Sequence, residues 1–255
     1  GGSEARVGRQ ELETVIVGAG FAGLAMAIRL QQSGRHDFQI LEKTAGLGGT
    51  WHDNTYPGCA CDIPSHLYSL SFEQHPGWTR HFASQPEILA YLQRVAERHG
   101  LRKKTRFNTE VKSLTWDEAA SRWQIETATG DMLTARVVVL GVGGLHLPRY
   151  PEITGLTAFA GPAFHSARWR HDVDLTGKRV AVIGSGASAV QIVPAIAPQV
   201  QRLAVFQRTP PWVLPRNDRP IPQAILRAFV QVAGQQGVWR WIFFQREESI
   251  ASAYT

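Results

Sequence analysis

The chain has 255 residues, enough for one large domain or two modest ones, and 44% hydrophobic content allows a sizeable core and argues against disorder. A net charge of +6 and a pI near 9.7 raise the question of nucleic acid, but the basic residues are dispersed. The densest stretch, Arg102-Lys103-Lys104-Thr105-Arg106, reads as a solvated helix-to-strand turn, so no nucleic-acid partner is expected. The only cysteines, Cys59 and Cys61, stand two positions apart. That spacing suits neither a disulfide nor a structural zinc site, and it places the protein in a reducing, cytoplasmic compartment. No apolar run has the length of a membrane span and no signal-peptide pattern opens the chain, so no membrane partner is expected. The opening Gly1-Gly2-Ser3 reads as an engineered remnant or a flexible leader and carries no weight for the fold.

In chain order, Thr14-Val15-Ile16-Val17 is an apolar, β-branched run that predicts a strand. It feeds directly into Gly18-Ala19-Gly20-Phe21-Ala22-Gly23, then into a helical pattern over 24–32 closed by Gly34. A second strand, 38–42, ends in Glu42, so the segment predicts a βαβ unit. Residues 44–82 are rich in Gly, Pro, His and aromatics and lack periodicity, and that length without a pattern points to a functional segment. A helix is expected over 85–99, with Ser84 as N-cap, Glu87 three residues on and Gly100 as C-cap. Short strands at 110–116, 123–127 and 137–140 predict a small antiparallel meander laid over a parallel sheet. Pro148, Pro151 and Gly155 mark a linker. A second βαβ unit follows: strand 179–183, turn Gly184-Ser185-Gly186-Ala187-Ser188-Ala189, helix 190–197 and strand 203–206. Residues 216–222 are Pro-rich, and 223–250 read as helical with Trp239, Trp241, Phe243 and Phe244 clustered.

A lone glycine-rich turn is weak evidence for a nucleotide site, but here the context fits. A strand precedes the first turn, a helix follows it, and an acid ends the next strand. Gly18 permits the turn, Gly20 lets the backbone approach a pyrophosphate, and Gly23 lets the helix pack against the strand. The helix N-terminus offers free N–H groups to phosphate, and Glu42, with Lys43 beside it, stands where ribose hydroxyls would bind. The second turn supplies Gly184, Gly186 and Ser188. Its following strand ends in Gln207-Arg208-Thr209, not in an acid. An arginine there would pair with a 2′-phosphate that an acid would repel, so the second nucleotide is expected to be NADP.

Two further stretches carry a family resemblance. Gly48-Gly49-Thr50-Trp51-His52-Asp53-Asn54-Thr55-Tyr56-Pro57-Gly58-Cys59-Ala60-Cys61-Asp62 resembles the long fingerprint of Baeyer–Villiger monooxygenases at every fixed position. Phe159, Gly161, His165 and Trp169 resemble the short fingerprint, with Arg170 departing at its last position. A glycine-rich stretch, Leu140-Gly141-Val142-Gly143-Gly144, keeps the glycine but not the threonine of a turn common in such flavoproteins.

The resemblance implies an α/β fold of two Rossmann-type domains, for FAD and NADP, with the start of a helical insertion. The boundaries expected are 12–150, 151–215 and 216–255. It implies FAD and NADPH as cofactors, and a ketone and O2 as substrates. One oxygen would be inserted next to the carbonyl, by way of a flavin peroxide, to give an ester or lactone. Asp62 matches the active-site aspartate, associated in the family with an arginine from a later segment. Gly49, Trp51 and Tyr68 match positions near the flavin. His165 and Trp169 match a segment tied to domain motion, and His165 is not expected to be a general base. Family chains are longer, so the C-terminal half is expected as a missing segment or a separate chain. The competing readings are a flavin monooxygenase oxidising nitrogen or sulfur and a nucleotide-binding fragment without full activity.

Overall fold

The structure, a computed structural model, describes residues 10–231 and 235–252. The chain divides into two compact units. One runs through Asp53 and resumes over Leu89–Leu147, and the other comprises Asn54–Ile88 and the chain from Pro148 onward. Residues 54–88 thus group with the later part of the chain.

The first unit is built on a sheet of strand order β3-β2-β1-β6-β5-β4. Its strands are β1 (Gln10–Val17), β2 (Phe38–Leu41), β3 (Thr105–Arg106), β4 (Val111–Asp117), β5 (Arg122–Thr127) and β6 (Met132–Leu140). Val15 and Ile16 in β1 and Ile40 in β2 are fully buried, as expected for a parallel strand covered on both faces. α1 (Phe21–Gln32) crosses between β1 and β2 and buries Leu24, Ala27 and Ile28. A short helix, α2 (Thr50–Asp53), follows in the loop after β2.

The meander is not a separate layer laid over the parallel sheet. β6 belongs to both arrangements. It pairs parallel with β1 along its length, from Gln10↔Leu133 to Val17↔Leu140, and its first residues also pair antiparallel with β5. Nine residues give β6 enough length for both, and the doubly paired Leu133 and Ala135 sit in one core cluster with Leu12, Val15, Leu41 and Ile125.

α3 (Gln85–Arg98) forms where the 3.6-residue pattern predicts it, and Gly100 closes it in the left-handed region at φ +62°. Ile88, Leu92 and Ala96 on α3 are fully buried. The Glu87 carboxylate accepts the Thr79 backbone N–H, so this acid secures the loop ahead of the helix.

In the second unit, β7 (Arg179–Ile183), α4 (Ala187–Ile196) and β8 (Arg202–Phe206) form the second βαβ unit, with β7 and β8 paired parallel in register. α5 (Gln223–Gln231) and α6 (Gln235–Ser252) provide the expected helical region. No helix among the described residues is long and apolar enough to cross a membrane.

Candidate functional site

The first turn is closed by contacts between glycines. Gly18, at φ +99°, would place a Cβ 2.5 Å from the Gly141 carbonyl oxygen. A Cβ on Gly23 would stand 1.9 Å from the Gly18 carbonyl oxygen, and one on Gly141 would stand 3.0 Å from Gly23 N. Three backbones therefore meet where no side chain fits. Gly20 faces Gly49, whose Cβ would lie 3.0 Å from the Gly20 Cα, while Gly48 N–H donates to the Ala19 carbonyl. The start of the long fingerprint thus lies against the first glycine turn, and Trp51 is buried. Gly20 is the N-cap of α1, and no side chain caps the helix there.

Glu42 is 4% exposed. One carboxylate oxygen accepts the Ala19 N–H at 2.8 Å, and the other accepts the Thr44 N–H and hydroxyl, each at 2.9 Å. Its first role is to hold the turn, since Ala19 lies inside it. Its remaining acceptor capacity is what a ribose hydroxyl would use. Lys43 is partly exposed next to it.

The second turn is arranged differently. Gly184, at φ +110°, and Gly186 have nothing within 4 Å of an added Cβ. Gly186 is the N-cap of α4 without a side-chain cap. The Ser185 hydroxyl donates to the Thr209 carbonyl at 3.4 Å, which ties the tip of β8 to the turn and leaves Arg208 exposed beside it. The Ser188 side chain is hydrogen-bonded to that of Tyr56.

The second half of the long fingerprint packs on α4. Gly58, at φ +80°, would place a Cβ 2.6 Å from the Gln191 carbonyl oxygen and 3.1 Å from the Ala195 methyl. The Gln191 side chain donates to the Ala60 carbonyl at 2.8 Å, and its oxygen accepts the Ala60 N–H and the Tyr56 hydroxyl, each at 3.2 Å. Burial raises the Tyr56 hydroxyl to about 12 and the Cys61 thiol to about 11, so both stay protonated at neutral pH and neither is an activated nucleophile.

Asp62 is exposed and Tyr68 partly buried. Arg216 donates to the carbonyl of Cys61, next to Asp62, at 3.5 Å, while pairing with Asp218 at 3.7 Å. Asp218 also binds the Arg80 guanidinium at 2.6 Å and the Phe82 N–H at 3.2 Å. From α6, Arg240 donates to the carbonyls of His66, Leu67 and Ser69, which fixes the turn bearing Tyr68.

In the short fingerprint, His165 caps a helical turn, its ring nitrogen accepting the Ala167 N–H at 3.1 Å, and Trp169 packs edge-on to Phe164. Gly161 lies under the Phe159 ring, 2.7 Å from an added Cβ. Arg170 forms an ion pair with Asp172, two residues on. His171, just past the short fingerprint, is within hydrogen-bond distance of Thr55, at 2.9 Å.

Gln191, Asp218 and Arg240 were not found from sequence. Gln191 does follow Ser188 by three positions, which puts the two on one face of a helix.

The sequence model of the family described as pyridine nucleotide-disulphide oxidoreductase matches residues 15–231. A Baeyer-Villiger monooxygenase of Pseudomonas aeruginosa is 55% identical over 228 residues, covering 89% of this chain and 43% of that protein. One from Streptomyces coelicolor is 55% identical, covering 84% of this chain and 41% of that protein. Among solved structures, a steroid monooxygenase bound to NADP superimposes with a TM-score of 0.80 at 42% identity, covering 86% of this chain and 42% of that one. Cyclohexanone monooxygenase from Rhodococcus sp. Phi1 bound to NADP+ gives 0.84 at 37% identity, covering 91% and 44%. The chain thus spans less than half the length of these relatives. The chain belongs to the pyridine nucleotide-disulphide oxidoreductase family, and the members it matches, over their N-terminal portion, are Baeyer–Villiger monooxygenases.

Proposed function

We propose that this chain is the nucleotide-binding part of an FAD- and NADPH-dependent monooxygenase that inserts one oxygen next to a ketone carbonyl to give an ester or lactone. The observation that carries the reading is the single stretch 48–62, whose start packs on the first phosphate turn and whose second half packs on the helix of the second.

In this reading residues 12–150 hold FAD, 151–215 hold NADPH, and 216–255 begin a helical insertion. Gly20 and Gly49 approach backbone to backbone, and a pyrophosphate would sit at the N-terminus of α1, which no side chain caps. Glu42 orients the ribose while holding the turn at Ala19. Gly184, Gly186, Ser188 and Thr209 frame the second dinucleotide, and Arg208 pairs with its 2′-phosphate. When bound, the flavin supplies oxygen activation after hydride transfer from NADPH. Asp62, on the loop held by Gln191, would set the orientation and field of an active-site arginine supplied by a later segment.

The test is a visible spectrum of the purified full chain, followed by product analysis with cyclic, linear and aryl ketones. A yellow protein bleached faster by NADPH than by NADH, and ester or lactone products, are the expected results. Oxidation of amines or sulfides without ketone turnover would replace the reading with the nitrogen- or sulfur-oxidising alternative. A colourless protein that binds neither cofactor would end it.

A further inference from the structure

Helix α4 does more than present its N-terminus to a phosphate. Ser188 lies in its first turn and Gln191 in the next, and both are joined to the loop that leads to Asp62. The Gln191 amide takes the Ala60 peptide in both directions, donating to its carbonyl at 2.8 Å and accepting its N–H at 3.2 Å. The same oxygen accepts the Tyr56 hydroxyl, which also meets Ser188. Between these two anchors, Gly58 brings the loop backbone so close to α4 that a methyl group would stand 2.6 Å from the Gln191 carbonyl. Helix formation does not require a glutamine here, and a solvent-facing amide would be satisfied by water. Instead the side chain stands in for a strand edge, supplying one donor and one acceptor to a loop peptide that has no ladder of its own.

We propose that Gln191 and Tyr56 are positioning residues that lock the 56–62 loop to α4, so that a dinucleotide seated at the Gly184–Ser188 turn fixes the loop carrying Asp62. The inference rests on reading that turn as the NADP site. A ligand at a helix N-terminus steadies the first turn of the helix, and a loop gripped by that turn and the next gains order from it. The coupling is reciprocal, so whatever frees the loop weakens the dinucleotide by the same factor.

The experiment is hydrogen–deuterium exchange of the peptide covering 56–62 in the full chain, with and without saturating NADP+, and with the dissociation constant measured in parallel. NADP+ slows exchange in the unsubstituted protein by about tenfold, within the usual range of coupling between sites. Gln191→Leu and Tyr56→Phe each cut that slowing to about twofold and weaken NADP+ by a matching factor, with exchange across residues 14–28 unchanged. Tyr56→Phe removes a hydroxyl without emptying the site, so it decides the matter if Gln191→Leu does not fold. NADP+ that binds without slowing exchange over 56–62, or variants that keep the full slowing, would overturn the coupling alone. Absence of NADP+ binding in the unsubstituted protein would overturn the reading of the turn and the coupling with it.

Discussion

The same strand–turn–helix unit occurs twice in this chain, and its two copies are embedded in different ways. In the first, Gly18, Gly23 and Gly141 press together, Gly49 lies on Gly20, and β1 is paired on both edges. In the second, an added Cβ at Gly184 or Gly186 meets nothing within 4 Å among the described residues, and β7 pairs there with β8 alone. Ile183 and Phe206, at the ends of β7 and β8, are 52% and 58% exposed. One motif therefore serves two purposes. In the first copy the glycines satisfy packing within the protein, as backbone meets backbone at Gly18, Gly23 and Gly141. In the second, no described residue stands within 4 Å of an added Cβ, and the turn conformation at φ +110° is the demand on Gly184 that these residues show.

That contrast can be broken most forcefully at the glycines. Gly23→Ala forces a methyl group against the Gly18 carbonyl at 1.9 Å and should cost about 3 kcal/mol or more. Gly186→Ala meets open space at an ordinary φ of −73° and should stay within about 0.5 kcal/mol. Equal shifts of the urea midpoint would show that the two turns are packed alike.

Acid should act on the second unit. Burial, with the charges of His81 and His75, lowers the His66 imidazole to about 4. An unfolded chain protonates histidine near pH 6.5, so in this window unfolding takes up a proton. His66 therefore costs nothing above about pH 6.5, and stability falls as pH drops towards 4, by up to about 3 kcal/mol. The pH dependence of the urea midpoint should flatten in His66→Asn. An unchanged acid limb would remove His66 from the account.

A smaller effect tests the ligand side of the comparison. Arg208→Ala should weaken NADP+ by about 2 kcal/mol, roughly thirtyfold, and leave NAD+ and FAD unaffected. Titrations showing equal losses for the two nicotinamide cofactors would contradict a 2′-phosphate partner. Smaller again is Gly184→Ala, where only the φ of +110° opposes a side chain. About 1 kcal/mol is expected, measured as a thermal shift, against a larger loss for Gly18→Ala, which adds the Gly141 contact.

Much of this was legible in the sequence because its signals are local. An apolar β-branched run leading into a glycine turn and an amphipathic helix predicts βαβ from neighbours alone, and both copies form close to their expected bounds. The place of β6 was not legible. Whether Val137 pairs with Thr14 or lies over another strand is decided by partners far apart in sequence, and the residues of β6 suit either arrangement. The aperiodic stretch 44–82 hid its organisation for a related reason. Its shape comes from single polar contacts with distant residues, such as Arg80 with Asp218, Arg240 with the Ser69 carbonyl, and Gln191 with Ala60. None of these leaves a period. For the candidate site, the residue types were readable and their engagements were not. Glu42 reads as a ribose acceptor, but the structure also commits it to Ala19 and Thr44, while Ser188 is turned to Tyr56.

Gly141 lies against Gly18 and Gly23, and β6 must pair with β1 before it can arrive there. On a ribosome, the first turn is complete in sequence once residue 23 has emerged, yet its third wall is not synthesised until residue 141. At ordinary elongation speeds the two are separated by roughly 6–24 seconds. Throughout that interval the glycine turn has its strand and helix but not its lid of backbone, so any ligand that needs all three walls can be captured only after the whole first unit has been made.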